Sequence, residues 1–209
     1  MRNSSLSLTP TQAYQRLLEG NERFIQGSFS GPRQSIQHQS DLAATQHPFA
    51  ALFGCSDSRL AAEIIFDVGL GELFVVRNAG QVMSTISLGS LEYSVEVLNV
   101  PLIVVLGHDS CGAIQATIAS FDGNLVTEGE FIQDLVRRIQ PTVEAAKVAG
   151  TDSIDEITAL HIKATVQELI SRSKLIDSAV RSGKLAVVGA TYQLSLGKVT
   201  PLVTVGNIN

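Results

Sequence analysis

Hydrophobic residues along this chain form two kinds of segment that alternate. Short, continuous apolar runs bounded by polar or glycine-containing turns are typical of buried strands. Longer segments with apolar residues three or four positions apart predict amphipathic helices. The predicted strands are 49–53, 73–77, 102–106, 185–191 and 199–205. The predicted helices are 10–26, 35–45, 59–66, 86–97, 111–120, 131–148, 157–171 and 174–182.

Strands that alternate with helices predict an α/β fold with a central, mostly parallel sheet flanked by helices. The last two strands are joined through Gly197 by a hairpin-length connection, so we expect about four parallel strands and one antiparallel edge strand. The 209 residues fit one domain, 1–209. Residues 1–34 form an N-terminal helical arm that we expect to pack on a partner subunit.

Composition and charge narrow the class of protein further. Hydrophobic residues make up 44% of the chain and the formal net charge is −5, without a cluster of lysines or arginines. We therefore expect no nucleic-acid or membrane-surface partner. No apolar run approaches the roughly 18 residues of a membrane span, and Met1–Thr11 lacks the apolar core of a signal peptide. Cytoplasm is the expected location.

Candidate chemistry is concentrated in two polar segments that follow the first and third strands. They are Cys-Ser-Asp-Ser-Arg at 55–59 and His-Asp-Ser-Cys-Gly at 108–112, and they hold both cysteines of the chain. Ligands of open parallel sheets bind beyond the carboxyl ends of the strands. If these two strands are neighbours, both segments meet at one site.

Four side chains in these segments could bind one metal ion: Cys55, Asp57, His108 and Cys111. His108 and Cys111 lie three positions apart at a predicted helix start, where such residues share a face. Two thiols and an imidazole favour zinc over magnesium, calcium or manganese. The alternatives are buried core thiols with a surface histidine, or a disulfide between the cysteines.

Asp57 would be an exchangeable fourth ligand because Arg59, two residues later, can bind its carboxylate. Asp57 on zinc would be a resting site, whereas Asp57 on Arg59 would free a position for water. Two thiolates make such a water less acidic than the pKa of about 7 at a three-histidine zinc site. We therefore expect activity to rise as pH climbs above neutrality.

Motifs of other enzyme classes are incomplete. The three residues between Cys55 and Arg59 are too few for a cysteine-based phosphatase loop, and no Walker loop occurs. Phe74 replaces the third glycine of a dinucleotide-binding fingerprint. A serine triad would need the histidine that the metal site already uses.

The two segments together resemble the β-class carbonic anhydrases. Supporting stretches are 21–24, 72–80 and 91–95, and the resemblance spans roughly residues 10–208. It implies reversible hydration of carbon dioxide to bicarbonate and a proton, by attack of a zinc-bound hydroxide. One zinc per subunit would be held by Cys55, His108 and Cys111. Asp57 and Arg59 would form the dyad that orients the nucleophile.

The resemblance also implies a substrate pocket, built from Gln46, Phe74, Ala79, Tyr93 and Gly112. In the family some of these residues come from a neighbouring subunit, so a homodimer or homotetramer is expected. Without the resemblance, the two aromatic residues and Ala79 could equally be core residues and Gln46 a solvated loop residue. Arg77, the last residue of the second predicted strand, is interpreted as a strand-end salt-bridge residue.

Some members of the family have an inhibitory bicarbonate site with a tryptophan and a valine where this chain has Leu52 and Leu60. The other matching positions, Gly54, Arg77 and Tyr192, remain compatible with such a site. Because of the two leucines, we expect a site that opens readily. Two further functions remain open: hydrolysis of carbonyl sulfide or carbon disulfide on the same scaffold, and a non-catalytic, zinc-stabilised interaction protein in which Asp57 stays on the metal.

Overall fold

Eight α-helices, five strands and one short 3-10 helix (Ala79–Gln81) make up the computed structural model, in the residues that it describes: 8–31, 35–125 and 128–208. The strands are β1 (Ala50–Cys55), β2 (Leu73–Asn78), β3 (Leu102–His108), β4 (Ala186–Gln193) and β5 (Lys198–Val205). The helices are α1 (Pro10–Ile25), α2 (Ile36–Asp41), α3 (Ala62–Ile65), α4 (Thr85–Glu96), α5 (Gly112–Phe121), α6 (Glu130–Val148), α7 (Ile154–Arg172) and α8 (Lys174–Arg181). Each predicted element is present, and the largest differences lie at element ends.

The five strands form one sheet in the order β2-β1-β3-β4-β5. The first four are parallel and β5 is antiparallel to β4, as predicted. β1 and β3 are direct neighbours, which was the condition for the two polar segments to meet. The predicted α/β architecture is therefore confirmed.

Both faces of the sheet are covered, which explains the continuous apolar runs of its central strands. Leu52 and Val104 point to one face, where α1, α5 and α6 contribute core residues. Phe53 and Val105 point to the other, where residues of α4, α7 and α8 pack. The buried sheet thus forms a rigid platform for the loops at its carboxyl edge.

Helix α1 begins at a capping box in which Thr9 and Gln12 bond each other's backbone amides. Its apolar stripe, including Ala13 and Leu17, packs into the core of the same chain. Asn21 is buried and joins α1 to the turn before β5: its amide donates to the Gly197 carbonyl. Residues 1–7 and 32–34 of the predicted arm lie outside the described residues, and its packing on a partner subunit stays a prediction.

The two edges of the sheet differ in character. On β5, Pro201 lies beside an irregularity in the register opposite Gly189 and Ala190, as expected of an edge strand. β2 forms the opposite edge with a run of apolar residues that are only half-buried. A long apolar edge without such interruption is prone to pair with another chain.

None of the helices in the described ranges combines the length and the hydrophobicity that crossing a membrane requires.

Candidate active site

The two polar segments meet at the carboxyl edge of β1 and β3, but their local structure differs from the prediction. Cys55 is the last residue of β1 and His108 the last of β3, so neither lies in a loop or helix. Cys111 precedes the first residue of α5. Ser110, with a φ of 54°, turns the chain in between. The predicted helical spacing of His108 and Cys111 is therefore wrong; a tight turn from strand to helix brings them together.

Three potential metal donors converge at this edge. One donor atom from each of Cys55, His108 and Cys111 lies within 4.8 Å of the other two, and all three residues are buried. Both thiols are free, so the disulfide alternative is not the arrangement found. His108 is fully buried, which contradicts the alternative of a surface histidine.

The orientation of His108 leaves one ring nitrogen available for a metal. Its Nδ1 lies 2.8 Å from the Asp109 carbonyl oxygen, so this nitrogen carries the proton and donates it. Nε2 is buried and makes no hydrogen bond to any residue that the structure describes. A buried acceptor without a partner is costly. The arrangement therefore fits a metal ligand, with its tautomer fixed by a backbone carbonyl.

The sulfur atoms interact strongly with each other. A hydrogen bond from Cys111 lowers the pKa of Cys55 well below its usual range, in spite of burial. The same contact, with burial, raises the pKa of Cys111. One thiolate thus forms readily, and a cation would remove the second proton by replacing it. Two thiolates and one neutral imidazole are the donors that a soft divalent metal such as zinc prefers.

Asp57 lies beside this cluster and is paired with Arg59. The Arg59 guanidinium donates to both carboxylate oxygens, at 2.9 and 2.8 Å, and the Arg59 backbone amide donates to Oδ1 at 2.9 Å. These hydrogen bonds hold the pKa of Asp57 well below its usual range. Its Oδ2 lies 3.9 Å from His108 Nε2. The carboxylate therefore stands next to the donor cluster while its own bonds go to arginine.

Arg77 has a different role from the predicted salt bridge. Its guanidinium donates to the carbonyl oxygens of Cys55, at 2.9 Å, and Asp57, at 2.6 Å. It thereby holds the start of the 55–59 segment in place from the neighbouring strand. The sequence offers no signal for this role, because the acceptors are backbone atoms. The same applies to the Asp109 carbonyl that orients His108.

The predicted pocket residues fall into two groups. Gly112 follows Cys111 directly, and Ala79 follows Asn78, which pairs with Cys55 in the sheet. Both are exposed at the metal-donor edge. The other three residues lie elsewhere, around the amino half of β2. Tyr93 lines a cleft with Gln46, and its ring centroid is 6.0 Å from that of Phe74.

The register of the sheet shows how far apart these groups are. Phe74 pairs with Ala51, four residues before Cys55 in β1. At about 3.3 Å per residue, this is roughly 13 Å along the strand. The surface formed by Gln46, Phe74 and Tyr93, called here the β2 surface, does not wall the donor cluster of its own chain.

Comparison with known proteins identifies the family. The family model described as "Carbonic anhydrase" matches residues 50–199, which include the donor cluster and the Asp57–Arg59 pair. The chain belongs to the β-class carbonic anhydrases. The expectation of an enzyme of the carbonic anhydrase class is thereby confirmed.

Relatives within this family cover nearly the whole chain. "Carbonic anhydrase 2" of Mycobacterium tuberculosis is 50% identical over 200 residues, 95% of this chain and 96% of the relative. The "Carbonic anhydrase" of Mycolicibacterium smegmatis is 47% identical over 190 residues, 91% of this chain and 92% of the relative. Among solved structures, Coccomyxa β-carbonic anhydrase in complex with acetazolamide has a TM-score of 0.72 at 27% identity, covering 91% of this chain and 87% of that one.

Proposed function

We propose that the chain catalyses the reversible hydration of carbon dioxide to bicarbonate and a proton, with one zinc ion per subunit. The observation that carries this proposal is the cluster of Cys55, His108 and Cys111, with the Asp57–Arg59 pair at its side. A bound zinc ion would supply a Lewis acid that makes water a nucleophile as pH rises above neutrality. Family membership supports this reaction over others on the same scaffold.

Arg59 would keep Asp57 off the metal and leave one coordination position open. A closed structural site has four protein ligands, whereas a catalytic site keeps one position for water or substrate. The bidentate contact with Arg59 occupies both oxygens of the carboxylate. This arrangement favours the catalytic interpretation over a zinc-stabilised interaction protein, in which Asp57 would stay on the metal.

We assign Asp57 and Arg59 as the catalytic dyad. Because Arg59 lowers the pKa of Asp57, the carboxylate stays ionised throughout the working pH range and can only accept hydrogen bonds. An acceptor beside the open position would orient the attacking water. Arg59 is exposed and holds this acceptor in one orientation through a two-point contact.

The substrate pocket would combine residues of two subunits. Gly112 is next to Cys111, and a Cβ atom built on it would meet nothing within 4 Å, so substrate could approach there. Gln46, Phe74 and Tyr93 cannot line the same site in one chain, since they lie at the amino half of β2. We infer that a partner's β2 surface forms the apolar wall, with Ala79 beside it. A homodimer is then the smallest active unit.

Two observations support pairing through this side of the molecule. β2 is the edge of the sheet, and its outer side has no strand beside it in the described ranges. Tyr93 is 45% exposed, although it is a large apolar residue packed against another aromatic ring. Burying such an edge and its aromatic residues stabilises association. Residues 1–34 would add contacts to the partner.

A reducing compartment suits this site. Cys55 and Cys111 are free thiols in close proximity, and thiols in this arrangement persist where disulfides do not form. We therefore propose that the enzyme works in the cytoplasm.

Stopped-flow measurement of carbon dioxide hydration tests the proposal, with zinc content determined on the same sample. We expect activity that is lost with a chelator, returns with zinc and falls strongly in Asp57→Ala. A purified protein that binds zinc but shows no hydration at alkaline pH would refute the reaction. Parallel assays with carbonyl sulfide would show whether the sulfur analogue is the better substrate.

A further inference from the structure

A buried histidine outside the donor cluster is connected to it through one glycine. The Gly80 amide lies 3.4 Å from Cys55 Sγ and donates to it. The Gly80 carbonyl oxygen lies 2.8 Å from Nε2 of His161, which comes from α7 on the other side of the turn. One residue therefore bonds a candidate metal ligand through its amide and a distant helix through its carbonyl.

The chemistry of His161 makes it a donor in this contact. Its side chain is buried, with 4% of the residue exposed, and burial lowers its pKa. The ring is therefore neutral and carries one proton. Because a carbonyl oxygen can only accept, that proton is on Nε2. His161 thus holds the Gly80 carbonyl with a full hydrogen bond inside the core.

The turn that contains Gly80 needs such support. Gly80 and Gln81 both have positive φ angles, 71° and 41°, and a non-glycine residue rarely adopts this conformation. A Cβ atom on Gly80 would lie 2.9 Å from Ala113 Cβ, which leaves no space on the α5 side. The buried Gln81 side chain finds no hydrogen-bond partner in the described part of the chain. The turn is therefore held by packing, by the Asn78 side chain, which hydrogen-bonds both backbone groups of Val82, and by His161, which alone among the described residues reaches the Gly80 carbonyl.

We propose that His161 is a positioning residue for the metal centre, which fixes the Gly80 amide on the Cys55 sulfur. An N–H donor draws charge from a thiolate and makes the bound metal a stronger Lewis acid. This would offset part of the charge that two thiolates give the metal. The inference rests on the proposed metal site.

Substitution of His161 by phenylalanine keeps a ring of similar size and removes the donor. In the cobalt-substituted protein, we expect the sulfur-to-cobalt charge-transfer band to move to lower energy, because the sulfur loses its hydrogen bond. The metal dissociation constant should rise roughly tenfold to a hundredfold. The midpoint of the pH–activity curve should move upward. His161→Gln, which can still donate, should restore the band toward its wild-type energy.

Thr165→Val is the matched control for a general loss of order in α7. Thr165 is buried, and its hydroxyl donates to the His161 carbonyl oxygen, at 2.8 Å, one turn earlier in the same helix. This variant should lose stability and keep the wild-type cobalt band. A folded His161→Phe protein with an unchanged band and pH midpoint would overturn the proposal, as would an equal shift in Thr165→Val.

A measurement on the wild type covers the case in which His161→Phe does not fold. In the ¹¹³Cd-substituted protein, the Gly80 amide proton should show scalar coupling to cadmium through the N–H···S hydrogen bond. Absence of this coupling would refute the role of Gly80 and with it that of His161. If the wild-type protein binds neither cobalt nor cadmium, the proposed metal site itself fails, which is a distinguishable result.

Discussion

The donor cluster and the β2 surface carry the two halves of the proposed active site, and they differ in completeness. The cluster is buried, its histidine is oriented by a backbone carbonyl, and its loop is held by Arg77. The β2 surface is half-exposed and lies at an open sheet edge. One chain thus contains all three candidate metal ligands. In the proposed site, by contrast, the apolar wall comes from a partner chain.

Removing a donor from the cluster should have the largest effect. Cys111→Ser replaces a thiolate by a poor zinc ligand without a change in shape. We expect zinc content to fall from about one per chain to near zero. Activity should fall by more than the roughly hundredfold that is typical when a residue hydrogen-bonded to a metal ligand is substituted. Metal analysis and stopped-flow assays measure both, with Ser110→Ala as a control that should keep its zinc.

Breaking the Asp57–Arg59 pair should cost less. Arg59→Gln removes the two-point contact, and we expect kcat/KM to fall about a hundredfold while zinc stays bound. Arg59→Lys keeps the positive charge but cannot make the two-point contact of a guanidinium. Its activity should therefore lie between those of the wild type and Arg59→Gln. Unchanged kcat/KM in Arg59→Gln would contradict the role of the dyad.

Arg59→Gln should also change how the stability of the fold depends on pH. In the folded wild type the pKa of Asp57 lies below the unfolded value of about 3.9, so the pair stabilises the fold above that pH. This stabilisation is lost as pH falls towards the lower, folded pKa. In Arg59→Gln the pKa should rise, and acid unfolding curves of the variant and wild type should converge at low pH. Curves that run parallel down to low pH would show that the pair adds no stability.

Disrupting the β2 surface tests whether the two halves come from different chains. Tyr93→Glu places a charge on this surface, and we expect the molecular mass in solution to fall to that of a smaller species. Activity should drop by about tenfold or more while the zinc content stays unchanged, because the donors are intact. Val148→Glu, at a residue 92% exposed on α6, is the control. A fully active monomeric Tyr93→Glu protein would refute the shared site.

The smallest effect on catalysis is expected far from both halves. Asn21 makes three buried hydrogen bonds, to Ile65, Gly197 and Val199. Asn21→Ala should lower the free energy of unfolding by about 3 kcal/mol and leave kcat/KM of the folded protein unchanged. Denaturant titration measures this, with the exposed Gln15→Ala expected to differ from wild type by less than about 0.5 kcal/mol.

The sequence by itself determined the alternation of strands and helices, because continuous apolar runs and amphipathic segments differ in periodicity. It also determined the candidate donors, because only two segments contain cysteine and both follow buried strands. Arg59 was predictable as the partner of Asp57, since two residues of separation suffice for a carboxylate and a guanidinium to meet.

Only the tertiary structure decided which groups support that site. The Arg77 side chain donates to backbone carbonyls, whereas Gly80 and Asp109 act through their own backbone amide and carbonyl. A backbone group that takes part in a contact leaves no mark on the residue type at its position. The separation of the β2 surface from the donors was also hidden, because it depends on the register of β1 and β2. Sequence patterns encode local periodicity and chemistry, whereas the distances between segments follow from how the sheet is assembled.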